Sequence, residues 1–201
     1  MSKIICRGLR DSDVSLYCWS GQDRDIFRAA RGSYGGENEI PDGARLRDFL
    51  SMLLKQKHLV PFEHCLLSYE ITAPIFVFRQ LFRYRTAIIS ERSLRYCKAE
   101  PEFWVPDVDS KMRFCYTQSY NSAWGWYQKL LADGERPERA RAVLPVSVFS
   151  KCRFTVNLRN FLHICEQRLQ KSAQEETRFI VKRMFVLARD AFPVTMEVFQ
   201  W

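Results

Sequence analysis

The hydrophobic period changes along this chain, and the change limits the folds open to it. Leu46, Phe49, Leu50, Leu53 and Leu54 fall at i, i+3, i+4, i+7 and i+8, which makes one apolar stripe on a helix. From His64 the period drops to two. Cys65, Leu67, Tyr69 and Ile71 alternate with His64, Ser68, Glu70 and Thr72, the pattern of a half-buried strand. Pro74 then stands where a first helical turn tolerates it, so PIFVFRQLFRYR predicts a helix. A second alternation runs through Val146, Val148, Ser150, Cys152, Phe154 and Val156, with Lys151, Arg153, Thr155 and Asn157 on the other face. It predicts another strand, followed by helices over roughly 158–169 and 173–191. Residues 2–9 suggest a short strand, 23–34 a short helix running into a Gly-rich loop from Gly32 to Gly36, and 112–133 a helix rich in Tyr and Trp. The stretch 97–111 reads as irregular. No repeat, low-complexity tract or linker divides the sequence, so a single domain over 1–201 is expected.

At 201 residues and 47% hydrophobic, the chain is able to bury one sizeable core. Its net charge of +8 favours an anionic partner: nucleic acid, an anionic membrane surface or phosphorylated small molecules. The seven cysteines are odd in number and contain no C-x-x-C pair, which suits free thiols in a reducing cytosol better than a disulfide framework or a zinc site. No stretch approaches the ~18 apolar residues of a membrane span. MSKIICRGLRDSD meets Arg7 and Asp11 before any signal-like apolar run, so a soluble cytoplasmic protein without a bound metal is expected.

The segment RQLFRYRTAIISERSLRY carries five arginines, at 79, 83, 85, 92 and 95, against one acid, Glu91. On a helix continuing through it, Arg79 and Arg83 would share a face, with Gln80 beside them. An arginine cannot shed its charge, so a half-buried arginine face wants carboxylate or phosphate. TAIISERSLRY reads as a loop that adds Ser90, Ser93, Arg92 and Arg95, a set of guanidinium forks and hydroxyls suited to phosphate oxygens.

Arg83-Tyr84-Arg85, seven residues, then Ser93 resembles the Arg-His-Arg, seven residues, Ser signature of the flavin-dependent thymidylate synthases. HLVPFEHCLLSYEITAPIFVFRQLFR resembles that family's His-x-x-Pro-Phe-Glu-His block, strand and helix. ARAVLP (140–145), TVNLRNFLH (155–163) and the region from Arg168 to Gln174 resemble its second nucleotide-binding half, and RAARGSY (28–34) its flavin-contacting turn. The resemblance spans roughly 25–199. It implies an α+β fold, an antiparallel sheet with flanking helices, assembled as a homotetramer whose active sites draw on more than one subunit. It also implies FAD as cofactor, with NADPH and methylenetetrahydrofolate as co-substrates, and C5-methylation of dUMP to dTMP.

By motif position, the resemblance implies that Ser33, Glu63, Arg83, Tyr84, Arg85, Asn157, Arg159 and His163, helped by Val60, meet the flavin. Arg79, Gln80, Glu91, Ser93, Arg95, Arg141 and Arg168 would hold the uracil nucleotide. Arg168 would also be catalytic, stabilising charge that develops on the pyrimidine, and His58 would orient the folate or relay a proton. Ser93 is expected to be a hydrogen-bond donor rather than a nucleophile, because no adjacent His supports activation. No cysteine sits in a recognisable nucleophile motif.

Four positions depart from the family pattern. Tyr84 replaces the motif histidine, Ile88 and Ser90 stand where Ser and Asn are usual, and Val60 replaces a hydroxyl residue. The arginines survive these changes while the polar lining alters. Methylation of UMP in a specialised nucleoside pathway is therefore an alternative to dUMP, and a catalytically silent flavin or nucleotide binder is another. A nucleic-acid-binding protein would also explain the charge, but no docking motif for it is present.

Overall fold

In the computed structural model the described residues are 3–32, 40–41 and 43–200. Ser33 and the Gly-rich loop beyond Gly32 lie outside them. In order the elements are β1 (Ile5–Arg7), β2 (Asp13–Ser20), α1 (Asp23–Gly32), α2 (Gly43–Lys55), a 3-10 helix (Val60–His64), β3 (Leu66–Pro74) and α3 (Ile75–Leu81). There follow β4 (Ile88–Glu91), β5 (Glu102–Trp104), α4 (Ser110–Ala132), α5 (Pro137–Ala140), a 3-10 turn (Arg141–Val143), β6 (Phe149–Asn157), α6 (Leu158–Arg168), α7 (Glu175–Ala191) and α8 (Pro193–Val198). The fold is α+β, with a four-stranded sheet in the order β2-β3-β6-β4.

The chain forms two compact units. The first takes residues up to Asp13, then Ile71–Arg83 and Ser90–Cys152. Here β1 pairs with β5 in parallel, Cys6 opposite Phe103. Phe103, Val105, Tyr120, Trp124, Tyr127 and Val148 form one buried cluster. Its phenols are satisfied: Tyr127 accepts from the Ala99 amide at 2.9 Å, and Tyr120 donates to the Trp104 carbonyl at 3.0 Å. Asp109 starts α4 by accepting from the Met112 amide at 2.9 Å, which satisfies a donor that the first helical turn leaves open.

The second unit takes Val14–Glu70, Tyr84–Ile89 and Arg153 onward. The apolar stripe of α2 buries Leu46, Leu50 and Leu53 as the spacing predicts, and α6 packs on α7. Asn157 ends β6 and caps α6, its side-chain oxygen accepting from the Asn160 amide at 2.9 Å. Gly21 turns the chain from β2 into α1 with φ of +86°, and a Cβ there would come within 2.7 Å of the Cys65 sulfur. The buried carboxylate of Asp23 accepts from the Val194 and Thr195 amides, both at 2.9 Å, and from the Thr195 hydroxyl at 2.5 Å. The start of α1 thereby anchors the start of α8.

Three expectations need correction. The helix after Pro74 stops at Leu81, its last bond running from the Phe82 amide to the Phe78 carbonyl at 2.8 Å, so Arg83 does not share a helical face with Arg79. Ile88–Glu91 is strand β4 rather than loop, because it pairs with β6 in the sheet. The irregular stretch 97–111 contains β5, held by its parallel ladder to β1.

Candidate active site

Within the first unit a cavity of about 600 Å³ is lined by Arg79, Glu91, Arg92, Ser93 and Arg141, with Ile75, Leu94, Leu144, Pro145 and Val146 among its apolar walls. The polar groups come from α3, which carries Arg79, from β4 and the segment just after it, which carry Glu91, Arg92 and Ser93, and from the 3-10 turn after α5, which carries Arg141. Four of the expected nucleotide contacts, Arg79, Glu91, Ser93 and Arg141, thus meet at one cavity. Burial raises the Glu91 carboxyl above its ordinary range, while the Ser150 hydroxyl and the Arg141 and Arg79 guanidinium groups pull it back. Burial thus outweighs the two neighbouring cations at Glu91.

The surrounding arginines are held by acids and carbonyls. Arg92 reaches Glu100 at 3.0 Å and Arg95 reaches Glu138 at 2.9 Å, while the Arg141 Nε donates to the Glu138 carbonyl at 3.2 Å. Ser93 Oγ accepts from the Arg95 amide at 3.2 Å. Arg95 and Gln80 are not among the cavity walls. Arg92 is, as its place among the residues suited to phosphate oxygens led one to expect, although the motif positions do not include it; Ser150, beside Glu91, was visible only as one residue of an alternating strand.

Within the second unit Tyr84 follows α3 in an irregular turn and meets α6. Its ring lies under the Arg168 guanidinium, whose central carbon is 5.4 Å from the ring centre. It also stands edge-on to the His163 ring at 6.1 Å, with the planes 80° apart. Burial raises the Tyr84 phenol, the charge of Arg168 and a hydrogen bond from its guanidinium pull it down, and Cys165 raises it. Arg168 is the last residue of α6, and its Nε is buried without a hydrogen-bond partner. Arg159 pairs with Glu63, and exposed His163 lies 3.8 Å from the Glu166 carboxylate. Arg83 and Arg85 are exposed, and among the described residues neither has an acid partner. His58 is exposed in the turn after α2, as is Val60 at the start of the 3-10 helix. The flavin-side residues Glu63, Tyr84, Arg85, Asn157, Arg159 and His163 therefore all belong to this unit, with Arg83 at the edge of the other.

The buried thiols offer no nucleophile. Burial pushes Cys65 up to about 11 and Cys152 up to about 12, and raises Cys165 as well, so all three stay protonated near neutral pH. Among the described residues no helix is long and apolar enough to cross a membrane.

The family model described as "Thymidylate synthase complementing protein" matches residues 16–194. The chain belongs to the flavin-dependent thymidylate synthase family. It is 31% identical to a flavin-dependent thymidylate synthase of Thermus thermophilus, over 93% of this chain and 75% of that one. A Thermosipho melanesiensis protein of the same name is 32% identical over 89% of this chain and 86% of its own. Among solved structures, the UMP/dUMP methylase PolB from Streptomyces cacaoi bound with 5-Br UMP superposes with a TM-score of 0.89 at 29% identity, covering 98% of this chain and 96% of that one. Its form bound with 5-Br dUMP gives 0.90 at 31% identity over the same shares. As a member of the flavin-dependent thymidylate synthase family the chain is a flavin-dependent enzyme, a methyltransferase by class.

Proposed function

We propose that this chain transfers a one-carbon unit reductively to C5 of a uracil nucleotide, converting dUMP to dTMP with FAD as flavin and with methylenetetrahydrofolate and NADPH as co-substrates. The observation that carries the reading is the first unit's cavity, where three guanidinium groups surround one half-buried carboxylate. Such a lining suits a phosphorylated ring bearing hydroxyls: Arg79, Arg92 and Arg141 supply charge-assisted donors for phosphate, and Glu91 and Ser93 are placed to pair with hydroxyl or imide groups.

The residues present fit a flavin dinucleotide. Arg83 and Arg85 lack acid partners among the described residues and suit a pyrophosphate. Glu63, Tyr84, Asn157, Arg159 and His163 would hold the cofactor with them, and Ser33 by the resemblance. Bound there, the flavin supplies hydride and carries the one-carbon unit. The protein's own work is positioning and charge. Arg168 grips the pyrimidine and stabilises negative charge developing on its oxygens as C5 becomes nucleophilic, a role that needs no activated thiol. His58 orients the folate or passes a proton. Arg95, Gln80 and Arg141 complete the nucleotide grip.

The enzyme works as a single catalytic domain in a homotetramer whose sites combine residues from more than one copy. A cytoplasmic location goes with its seven free cysteines. UMP is the second reading, favoured by the likeness to a methylase described as acting on both UMP and dUMP and by Tyr84 standing at the motif histidine. Purified protein given FAD, NADPH and methylenetetrahydrofolate under low oxygen, with dUMP and UMP in parallel, is expected to yield the C5-methylated nucleotide by mass. Product from UMP in preference to dUMP moves the assignment to the second reading. No product from either, with FAD bound, leaves a silent binder.

A further inference from the structure

We infer that Tyr84 is a positioning residue for Arg168: its ring face aims the guanidinium while leaving the charge unneutralised, an inference resting on the reading above in which Arg168 grips the pyrimidine. The ordinary way to fix an arginine is a carboxylate, which cancels most of its field. Among the described residues no acid pairs with Arg168, and its Nε is buried without a partner. What faces it is Tyr84: the ring centre lies 5.4 Å from the guanidinium carbon, within the reach of a cation–π contact, and the neutral phenol oxygen takes a hydrogen bond from the guanidinium. That contact orients a cation electrostatically and leaves its monopole available to an incoming anion.

The position of Tyr84 fits the task. It follows the end of α3, where no helical hydrogen bond fixes it, and its ring is set instead by α6, which supplies Arg168, Cys165 and His163 around it. His163 meets the ring edge-on and limits its rotation. Burial keeps the phenol protonated, so the ring brings no charge of its own. An imidazole at this place would, once protonated, stand as a second cation against Arg168 and beside His163. Tyrosine at the motif position thus exchanges a titrating neighbour of the pyrimidine grip for a neutral one.

The test is a double-mutant cycle on the FAD-loaded full-length protein, with dUMP affinity read by titration calorimetry and single-turnover rates beside it. Tyr84→Leu is expected to weaken dUMP binding about tenfold, the order of effect of a desolvated cation–π contact. Tyr84→Phe, which keeps the face and loses only the phenol's hydrogen bond to Arg168, is expected to lose about threefold. In an Arg168→Ala background Tyr84→Leu is expected to change nothing further, because the cation it aims is gone. A side chain that merely fills space would instead weaken binding equally in both backgrounds, and that result overturns the inference. So does a Phe variant as impaired as the Leu variant. If Tyr84→Leu fails to load flavin, Tyr84→Met, similar in bulk and without a ring, takes its place in the cycle. Should Arg168→Ala itself leave dUMP affinity and turnover intact, the reading of Arg168 falls. An impaired Arg168→Ala with additive Tyr84 effects sinks the positioning role alone.

Discussion

The arginines around the first unit's cavity and Arg168 of the second unit are held in different ways. In the first, acids and carbonyls tie them down: Arg92 to Glu100 at 3.0 Å, Arg95 to Glu138 at 2.9 Å, and Arg141 to the Glu138 carbonyl at 3.2 Å. In the second, Arg168 rests on an aromatic face with no acid partner among the described residues. An acid fixes a guanidinium and spends its charge, whereas a ring fixes it and leaves the charge nearly whole. The first arrangement suits a phosphate grip, where several partly screened donors share one dianion. The second suits a transition state, where a single fixed cation meets charge that appears only during reaction.

The largest effect should come from the unscreened cation. Arg168→Ala is expected to lower turnover by about 10²–10³-fold, the range for losing one preorganised electrostatic group, with FAD absorbance retained and a change at exposed Lys111 harmless. Equal activity in both variants would remove the contrast altogether. Next, Arg141→Ala should act on binding: losing a hydrogen bond to a charged group costs about 1.5–3 kcal/mol, so KM for the nucleotide should rise roughly 10- to 100-fold. A fall in kcat alone would show that the first unit's arginines work as Arg168 does.

Asn157→Ala sharpens a different point, since its side-chain oxygen already caps α6. Losing the cap should cost about 1 kcal/mol, a fall in Tm of about 2–4 °C, and Asn157→Asp should keep it. Loss of flavin without a change in Tm would instead give the amide to the cofactor. The smallest effect belongs to Glu91→Gln. The folded protein raises the Glu91 carboxyl above its ordinary 4.5, so the native state holds that proton more tightly than the unfolded chain. This group's contribution to stability is then full below 4.5 and is lost as pH rises through the folded value. The glutamine variant should melt slightly higher than the parent at pH 7, with the advantage vanishing towards pH 4, as scanning calorimetry across that range would record.

Periodic segments were legible because their burial is periodic. The α2 stripe, the β3 and β6 alternations and the α6 and α7 helices stand nearly where their spacing puts them. Strand β2 was hidden: it lies at the sheet edge, Val14 is its one buried residue, and Tyr17 and Trp19 are exposed, so no alternation marks it. The end of α3 was equally silent, because neither glycine nor proline follows Leu81 and the chain turns at Phe82 without such a signal. Strand β4 is four residues set among arginines, and only its partner β6 makes it a strand. For the site, motif order brought Arg79, Glu91, Ser93 and Arg141 to one cavity. The stacking of Tyr84 under Arg168 joins residues 84 and 168 through tertiary structure alone, which no local pattern encodes.

The anchoring of α8 by Asp23 bears on how the chain is made. The Asp23 carboxylate leaves the ribosome 171 and 172 residues ahead of its partners at Val194 and Thr195. During synthesis, at about 5–20 residues per second, the first unit has all its residues once Cys152 is out, whereas the second must wait for Thr195. A chain interrupted between the two would therefore have a bare acid in its second unit where α8 belongs.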